Sequence, residues 1–177
     1  MALPKEELPF YTYEDYKTWQ GDWELIKGIP FALVSPNLDH QRVVAKILYQ
    51  LIRELENCRN CEAVPDTDYI IDEHTVLRPD IAVICNEKGE KITRAPKIIF
   101  EVVSKSTAKV DEITKKKIYE EEGVNYYVLV YPSLKKAKIY KLEEEKYKKI
   151  ADVENETVEF TFENCKIKLD FSKILDV

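Results

Sequence analysis

Two carboxylates stand where a free charge is hard to accommodate. Asp80 follows Pro79 and opens the run Ile81-Ala82-Val83-Ile84, and Glu101 lies inside Ile98-Ile99-Phe100 and Val102-Val103, about twenty residues further on. Runs this short and this rich in β-branched residues read as strands buried on both faces. A lone ionised carboxylate in such a strand is very costly unless something cationic meets it. Side chains alternate along a strand, so Asp80 shares a face with Ala82, and Glu101 with Ile99 and Val103. Consecutive strands are usually neighbours, and in the expected register both acids point to one spot. Two adjacent carboxylates resist ionising together; a hard divalent cation, Mg²⁺ or Mn²⁺, relieves them by taking oxygen ligands. The plain alternative is that each acid pairs with a basic side chain such as Arg78 or Lys115. Taken together, the strand–loop–strand spacing favours the metal site.

The elements that must hold these residues follow from periodicity. Residues 12–20 predict a short helix with Thr12 as N-cap, and 23–34 a hairpin turning near Lys27 and Gly28. Apolar residues at 43, 44, 47, 48, 51, 52 and 55 give a long amphipathic helix opened in the Asn37–Asp39 region. Residues 62–72 and 75–85 read as two strands joined by a polar turn, and the loop 86–96 leads to the strand of Glu101. Residues 106–123 predict a helix capped by Ser106 or Thr107 and stopped at Gly123. A buried strand at 125–131 and further antiparallel strands from 137 onward complete the pattern. The order predicts an α/β fold, a mixed sheet flanked by helices with extra antiparallel strands near both ends. With no repeat, low-complexity tract or linker, residues 1–177 read as a single domain.

The stretches "WELIKGIPFALVSP…H" (23–40), "RPDIAV" (78–83) and "IIFEVVSKST…D…K…Y…GVNYYVLVYP" (99–132) make the pattern specific. Pro79-Asp80 followed by Glu101-Val102-Val103 resembles the PD-(D/E)XK nuclease signature. The chain is most similar to a bacterial family of restriction-endonuclease-like proteins within that superfamily, over about residues 10–145. The resemblance implies a divalent-metal-dependent phosphodiesterase acting on DNA. Asp80 and Glu101 would hold the metal, with the main-chain carbonyl of Val102 as third ligand. A metal there polarises the phosphoryl oxygen and lowers the pKa of a bound water.

One position departs from the superfamily pattern: Val103 stands where a lysine is usual. Such sites want a cation there to orient water and offset charge developing on the phosphate. Lys105 keeps the strand parity but falls past the strand end, whereas Asp111, Lys115 and Tyr119 are spaced by four on the next helix and match the family's D…K…Y. Lys115 is therefore expected to replace the missing lysine, against the alternative of a surface Asp111–Lys115 pair. The resemblance also nominates Glu24, facing the metal directly or through water, and His40, contacting a phosphate or assisting proton transfer. His74 receives no role. Lys105, Lys109 and Lys116 would form a basic rim for the nucleic-acid backbone, with Lys116 and Lys117 equally readable as a solvated helix face.

Composition bounds these readings. The net charge of −6 argues against nonspecific coating of nucleic acid. No apolar run is long enough to cross a bilayer, and the acidic N-terminus carries no signal-peptide pattern, which points to the cytoplasm. Abundant Lys and Glu beside a single Met is a composition seen in thermophile proteins. Cys58 and Cys61 form a lone CxxC, read as a loop after the long helix, with half a zinc site or a redox pair as the alternative. Two rivals to the nuclease reading stand: a catalytically silent nucleic-acid-binding or assembly module keeping the same fold, and a structural protein with zinc at Cys58 and Cys61. Nucleases that cut both strands often act as dimers, and that analogy alone raises a homodimer here; no residue pattern in the sequence states the oligomeric state.

Overall fold

The computed structural model describes residues 8–177; the N-terminal segment on which the absence of a signal peptide was read lies largely outside the described residues. The elements in chain order are α1 (Tyr13–Tyr16), β1 (Trp23–Ile26), β2 (Ile29–Ala32), α2 (Leu38–Glu54), β3 (Cys61–Pro65), β4 (Tyr69–Asp72), β5 (Thr75–Leu77), β6 (Ile81–Cys85) and β7 (Ile98–Val102). There follow a π-helical turn (Val110–Lys115), α3 (Lys116–Glu121), β8 (Tyr126–Tyr131), β9 (Lys136–Glu143), β10 (Lys146–Val153), β11 (Thr157–Phe162), β12 (Cys165–Asp170) and α4 (Phe171–Ile174).

Six strands in the order β10-β9-β8-β7-β6-β3 make the main sheet, in which only β7 and β8 run parallel. A smaller sheet, β2-β1-β5-β4, and the hairpin β11-β12 complete the mixed α/β architecture expected from the sequence. The central strands β6, β7 and β8 are buried along their whole length, as continuous apolar runs require. Alternate residues divide between two cores. Ile81, Val83, Ile98, Phe100, Val128 and Val130 face α2 and the β11-β12 hairpin, and Ala82, Ile84, Ile99, Val103, Tyr127 and Leu129 face α3 and the small sheet. The lysines 146, 148 and 149 of the edge strand β10 discourage pairing with another chain.

Local chemistry accounts for the ends of these elements. The side chain of Asn37 accepts from the His40 N–H and caps α2, while Thr12 and Asp15 close a reciprocal capping box on α1. Lys27 and Gly28, both at positive φ, make the tight β1–β2 turn, and a Cβ on Gly28 would run into the Phe10 ring.

Three expectations need correction. Residues 62–72 and 75–85 are not two continuous strands: each is cut in half, β3 and β6 joining the main sheet and β4 and β5 the small one. Asp66 at positive φ turns the first, and Pro79, which has no N–H to give a ladder, breaks the second. The predicted cap at Ser106 or Thr107 is not formed as expected; the Thr107 hydroxyl instead accepts from the Ser104 N–H at 3.1 Å. Finally, Cys58 lies in the loop after α2 as expected, but Cys61 opens β3, and the two are not half a zinc site. Cys58 is disulfide-bonded to Cys165, and Cys61 to Cys85, which lies directly opposite it in the β3–β6 ladder. Disulfide sulfurs do not bind zinc, so that alternative falls.

Candidate active site

The break at Pro79 ends one sheet and starts the other, and it brings Asp80 to the mouth of β6. The β6–β7 ladder pairs Ile81 with Phe100, so the next residues outward, Asp80 and Glu101, stand opposite one another. The Asp80 N–H points to Oε2 of Glu101 at 3.4 Å, and the Val102 N–H donates to Oδ2 of Asp80 at 2.7 Å. Oδ1 of Asp80 meets Nε2 of His40, from the first turn of α2, at 3.2 Å.

Lys115 comes to this pair from the helix after β7. It is 5% exposed, and its Nζ lies 2.9 Å from Oε1 of Glu24, 3.2 Å from Oε1 of Glu101 and 3.5 Å from Oδ1 of Asp111. The surface pair considered as an alternative is therefore not what forms: the Asp111–Lys115 contact exists, but both groups are buried. Glu24 reaches the site from β1, its Oε1 also accepting from the Arg78 N–H at 2.8 Å. Tyr119, fully buried, donates its hydroxyl to Oε1 of Glu101 at 3.2 Å.

The π turn explains how three residues spaced by four meet one site. In an α-helix each step of four overshoots a full turn by about 40°. In a π turn the same step falls short by roughly 30°, because its i→i+5 bonds widen the coil. Asp111 to Lys115 lies in the π segment and Lys115 to Tyr119 runs into α3, so the two deviations cancel. Asp111 and Tyr119 consequently come nearly into line with Lys115 slightly to one side, a narrower stripe than an all-α run would give. Tyr127 steadies the turn by donating its hydroxyl to the Asp111 carbonyl at 2.7 Å.

Four carboxylates, those of Glu24, Asp80, Glu101 and Asp111, thus gather around one ammonium and one imidazole. Burial pushes the Glu101 carboxyl well above the ordinary carboxylate range; Lys115 pulls it down, and Asp80, Asp111 and Glu24 push it further up. Asp111 is raised chiefly by burial too, again against Lys115. Burial opposes the charge on Lys115, but Glu101, Glu24 and Asp111 together hold its amine well above the usual lysine value. His40 is raised despite its partial burial, through its bond to Asp80 and the charge on that group. Among the described residues no three His, Cys, Asp or Glu side chains close on one point as a ready metal cage. The donor set nevertheless fits a hard divalent cation in kind and in charge, being rich in oxygen and carrying more acid than Lys115 and His40 offset.

The other residues singled out in the sequence take no part in these contacts. Val103 is buried in the core on the face that Glu101 shares, its N–H donating to the Val130 carbonyl at 2.7 Å, and its apolar side chain brings no charge to the acids. Lys105 and Lys109 are exposed on the segment between β7 and the π turn. Lys116 lies with its Nζ 4.1 Å from the ring centre of Tyr140 on β9, over the sheet and away from the acids. His74 packs on Phe10 in the small sheet's turn region, remote in role from the site. The residues that sequence reasoning left without a role are Asp111 and Tyr119; their spacing of four from Lys115 was the available signal.

Residues 12–169 match the Uma2 family, whose description reads "Putative restriction endonuclease". Among solved structures the chain is similar to one described as the crystal structure of "a putative nuclease belonging to DUF820 from Anabaena variabilis ATCC 29413". The two share 14% sequence identity at a TM-score of 0.74, over 93% of this chain and 97% of that one. At that identity the likeness shows a common fold, the restriction-endonuclease-like one. No curated protein matches. Among the described residues no helix is long and apolar enough to cross a membrane.

Proposed function

The chain belongs to the Uma2 family, and from that premise we propose that it is a divalent-metal-dependent endonuclease that hydrolyses phosphodiester bonds in DNA. Asp80, Glu101 and the main-chain carbonyl of Val102 are the groups that would hold Mg²⁺ or Mn²⁺. Such an ion, when bound, polarises a phosphoryl oxygen and lowers the pKa of a bound water. The chain's own residues do the rest. Lys115 supplies the permanent cation that position 103 lacks, offsetting charge on the phosphate. Glu24 and Asp111 hold that ammonium from two sides, which keeps it charged and fixed in direction. His40, bonded to Asp80, carries a proton at Nε2 at the open side of the cluster, where a phosphate or leaving oxygen would meet it. Lys105 and Lys109, both exposed on the segment that follows Glu101, would serve backbone phosphates; Lys116 contributes more weakly from its seat on Tyr140.

The observation that carries this reading is the Nζ of Lys115, brought from another element to within 3.2 Å of Glu101 in a cluster with excess acid. A second reading, a silent module that keeps the fold and binds nucleic acid, draws on the same contacts, since Lys115 already serves as counter-ion to three carboxylates. Calorimetric titration with Mn²⁺ beside a plasmid-nicking assay separates the two. Wild type is expected to bind and nick, and Asp80→Asn to bind at least about 10-fold more weakly and lose nicking. DNA binding without metal binding or nicking selects the silent module. If wild type neither binds metal nor nicks DNA, and Asp80→Asn behaves identically, the enzyme reading fails. Sedimentation on DNA with and without Ca²⁺ tests whether two copies assemble to address both strands.

A further inference from the structure

Glu101 receives two hydrogen-bond donors on the same oxygen. Lys115 Nζ and the Tyr119 hydroxyl each lie 3.2 Å from Oε1, whereas Oε2 faces Asp80 and is met only by that residue's N–H at a long 3.4 Å. Lys115 is shared among three carboxylates, being closer to Glu24 than to Glu101. Among the described residues the Tyr119 hydroxyl has a single partner. Its ring packs edge-on against Tyr127 with centroids 5.3 Å apart, a contact that phenylalanine would make equally well. A fully buried hydroxyl is costly without an acceptor, so packing alone does not account for a tyrosine here. It is the carboxylate that needs the donor.

We propose that Tyr119 is a positioning residue whose buried hydroxyl holds Oε1 of Glu101, keeping Oε2 turned toward Asp80 and open to a divalent cation. This rests on the reading of Asp80 and Glu101 as the metal-holding pair. The two oxygens of Glu101 then divide their work, one anchored by Lys115 and Tyr119 and the other turned toward Asp80. A metal-holding carboxylate fixed by outer hydrogen bonds typically loses 10- to 100-fold in affinity when such a bond is removed.

The test is Mn²⁺ titration of wild type, Tyr119→Phe and Tyr127→Phe, with thermal unfolding recorded for each. Tyr127→Phe removes an equally buried hydroxyl that serves the Asp111 carbonyl instead. The Mn²⁺ Kd is expected to rise about 10-fold in Tyr119→Phe and to stay within about twofold in Tyr127→Phe. In a Glu101→Gln background, Tyr119→Phe is expected to add no further loss, because its acceptor has already been altered. Wild type that binds Mn²⁺ alongside a Tyr119→Phe variant of equal affinity overturns the proposal and leaves the functional reading standing. So does an equal loss in Tyr127→Phe, which would mark a general loosening. Wild type that does not bind Mn²⁺ overturns the functional reading and this proposal with it. Should Tyr119→Phe not fold, 4-fluorophenylalanine at position 119 fills the hydroxyl's space without donating, and the same outcomes apply.

Discussion

Two charge clusters, one half open to solvent and one buried, lie on either side of the Arg78-Pro79-Asp80 turn, and they are built to opposite rules. On one side Asp68 accepts from the Arg78 guanidinium at 2.8 Å, from Lys91 at 3.3 Å and from the Tyr16 hydroxyl at 3.0 Å, while Arg78 also reaches Asp22 at 2.7 Å. Two cations answer two acids there, and the Arg78 guanidinium is held charged mainly by Asp68 against its burial. On the other side a single lysine faces three carboxylates, with Asp80 and His40 beside them. A balanced cluster is finished by folding; it locks α1 and the small sheet together and asks for nothing more. The acid-rich cluster is left with a deficit of positive charge, and that deficit is what an incoming cation would meet. One residue serves both, since the Arg78 side chain completes the first cluster while its N–H orients Glu24 in the second.

Removing the lone cation should break the comparison most sharply. Lys115→Met leaves three buried carboxylates unanswered and is expected to cost about 3–5 kcal/mol of folding free energy, read from urea unfolding. Mn²⁺ should restore more of that loss in Lys115→Met than it adds to wild type, because the ion then meets a larger deficit. The balanced cluster should respond differently. Asp68→Asn is expected to cost about 1–3 kcal/mol while leaving the Mn²⁺ Kd unchanged; a weakened Kd would show that the two clusters are one unit.

The smallest expected effect is a slope with pH. The folded Glu101 carboxyl titrates above its unfolded value, chiefly because burial disfavours its charge. Between those two values the folded chain keeps a proton that the unfolded chain has lost, so stability falls as pH rises through the window. Glu101→Gln should flatten that slope in urea midpoints measured from about pH 5 to about pH 8. Asp68→Asn should leave it intact.

Continuous apolar runs made β6, β7 and β8 legible, and the i, i+3, i+4 spacing made α2 legible, because burial on two faces and on one stripe leaves distinct periods. Register followed from alternation, which is how Asp80 and Glu101 were matched, and the spacing of four drew Lys115 toward them. The π turn was not legible, since nothing in "VDEITK" separates a π turn from an α turn. Nor was the partition of 62–85 between two sheets: the polar breaks at Asp66 and Pro79 were visible, but not that the chain changes sheets there. The cysteine pairing was out of reach for a different reason. Cys58 and Cys165 are 107 residues apart, and only the packing of the β11-β12 hairpin beside the end of α2 brings them together.

Those two bonds bear on how freely this chain can unfold. They close loops of 107 and 24 residues, and in the chain-entropy account each contributes about 3–5 kcal/mol by restricting the unfolded chain. Structural disulfides are rare in the reduced cytosol of mesophiles but common inside hyperthermophiles, whose lysine- and glutamate-rich composition this chain shares. A chain with both bonds intact is therefore coherent with a cell that lives hot. Dithiothreitol, routinely added to keep thiols reduced, would convert it into a chain with the same contacts and a far larger space of unfolded states.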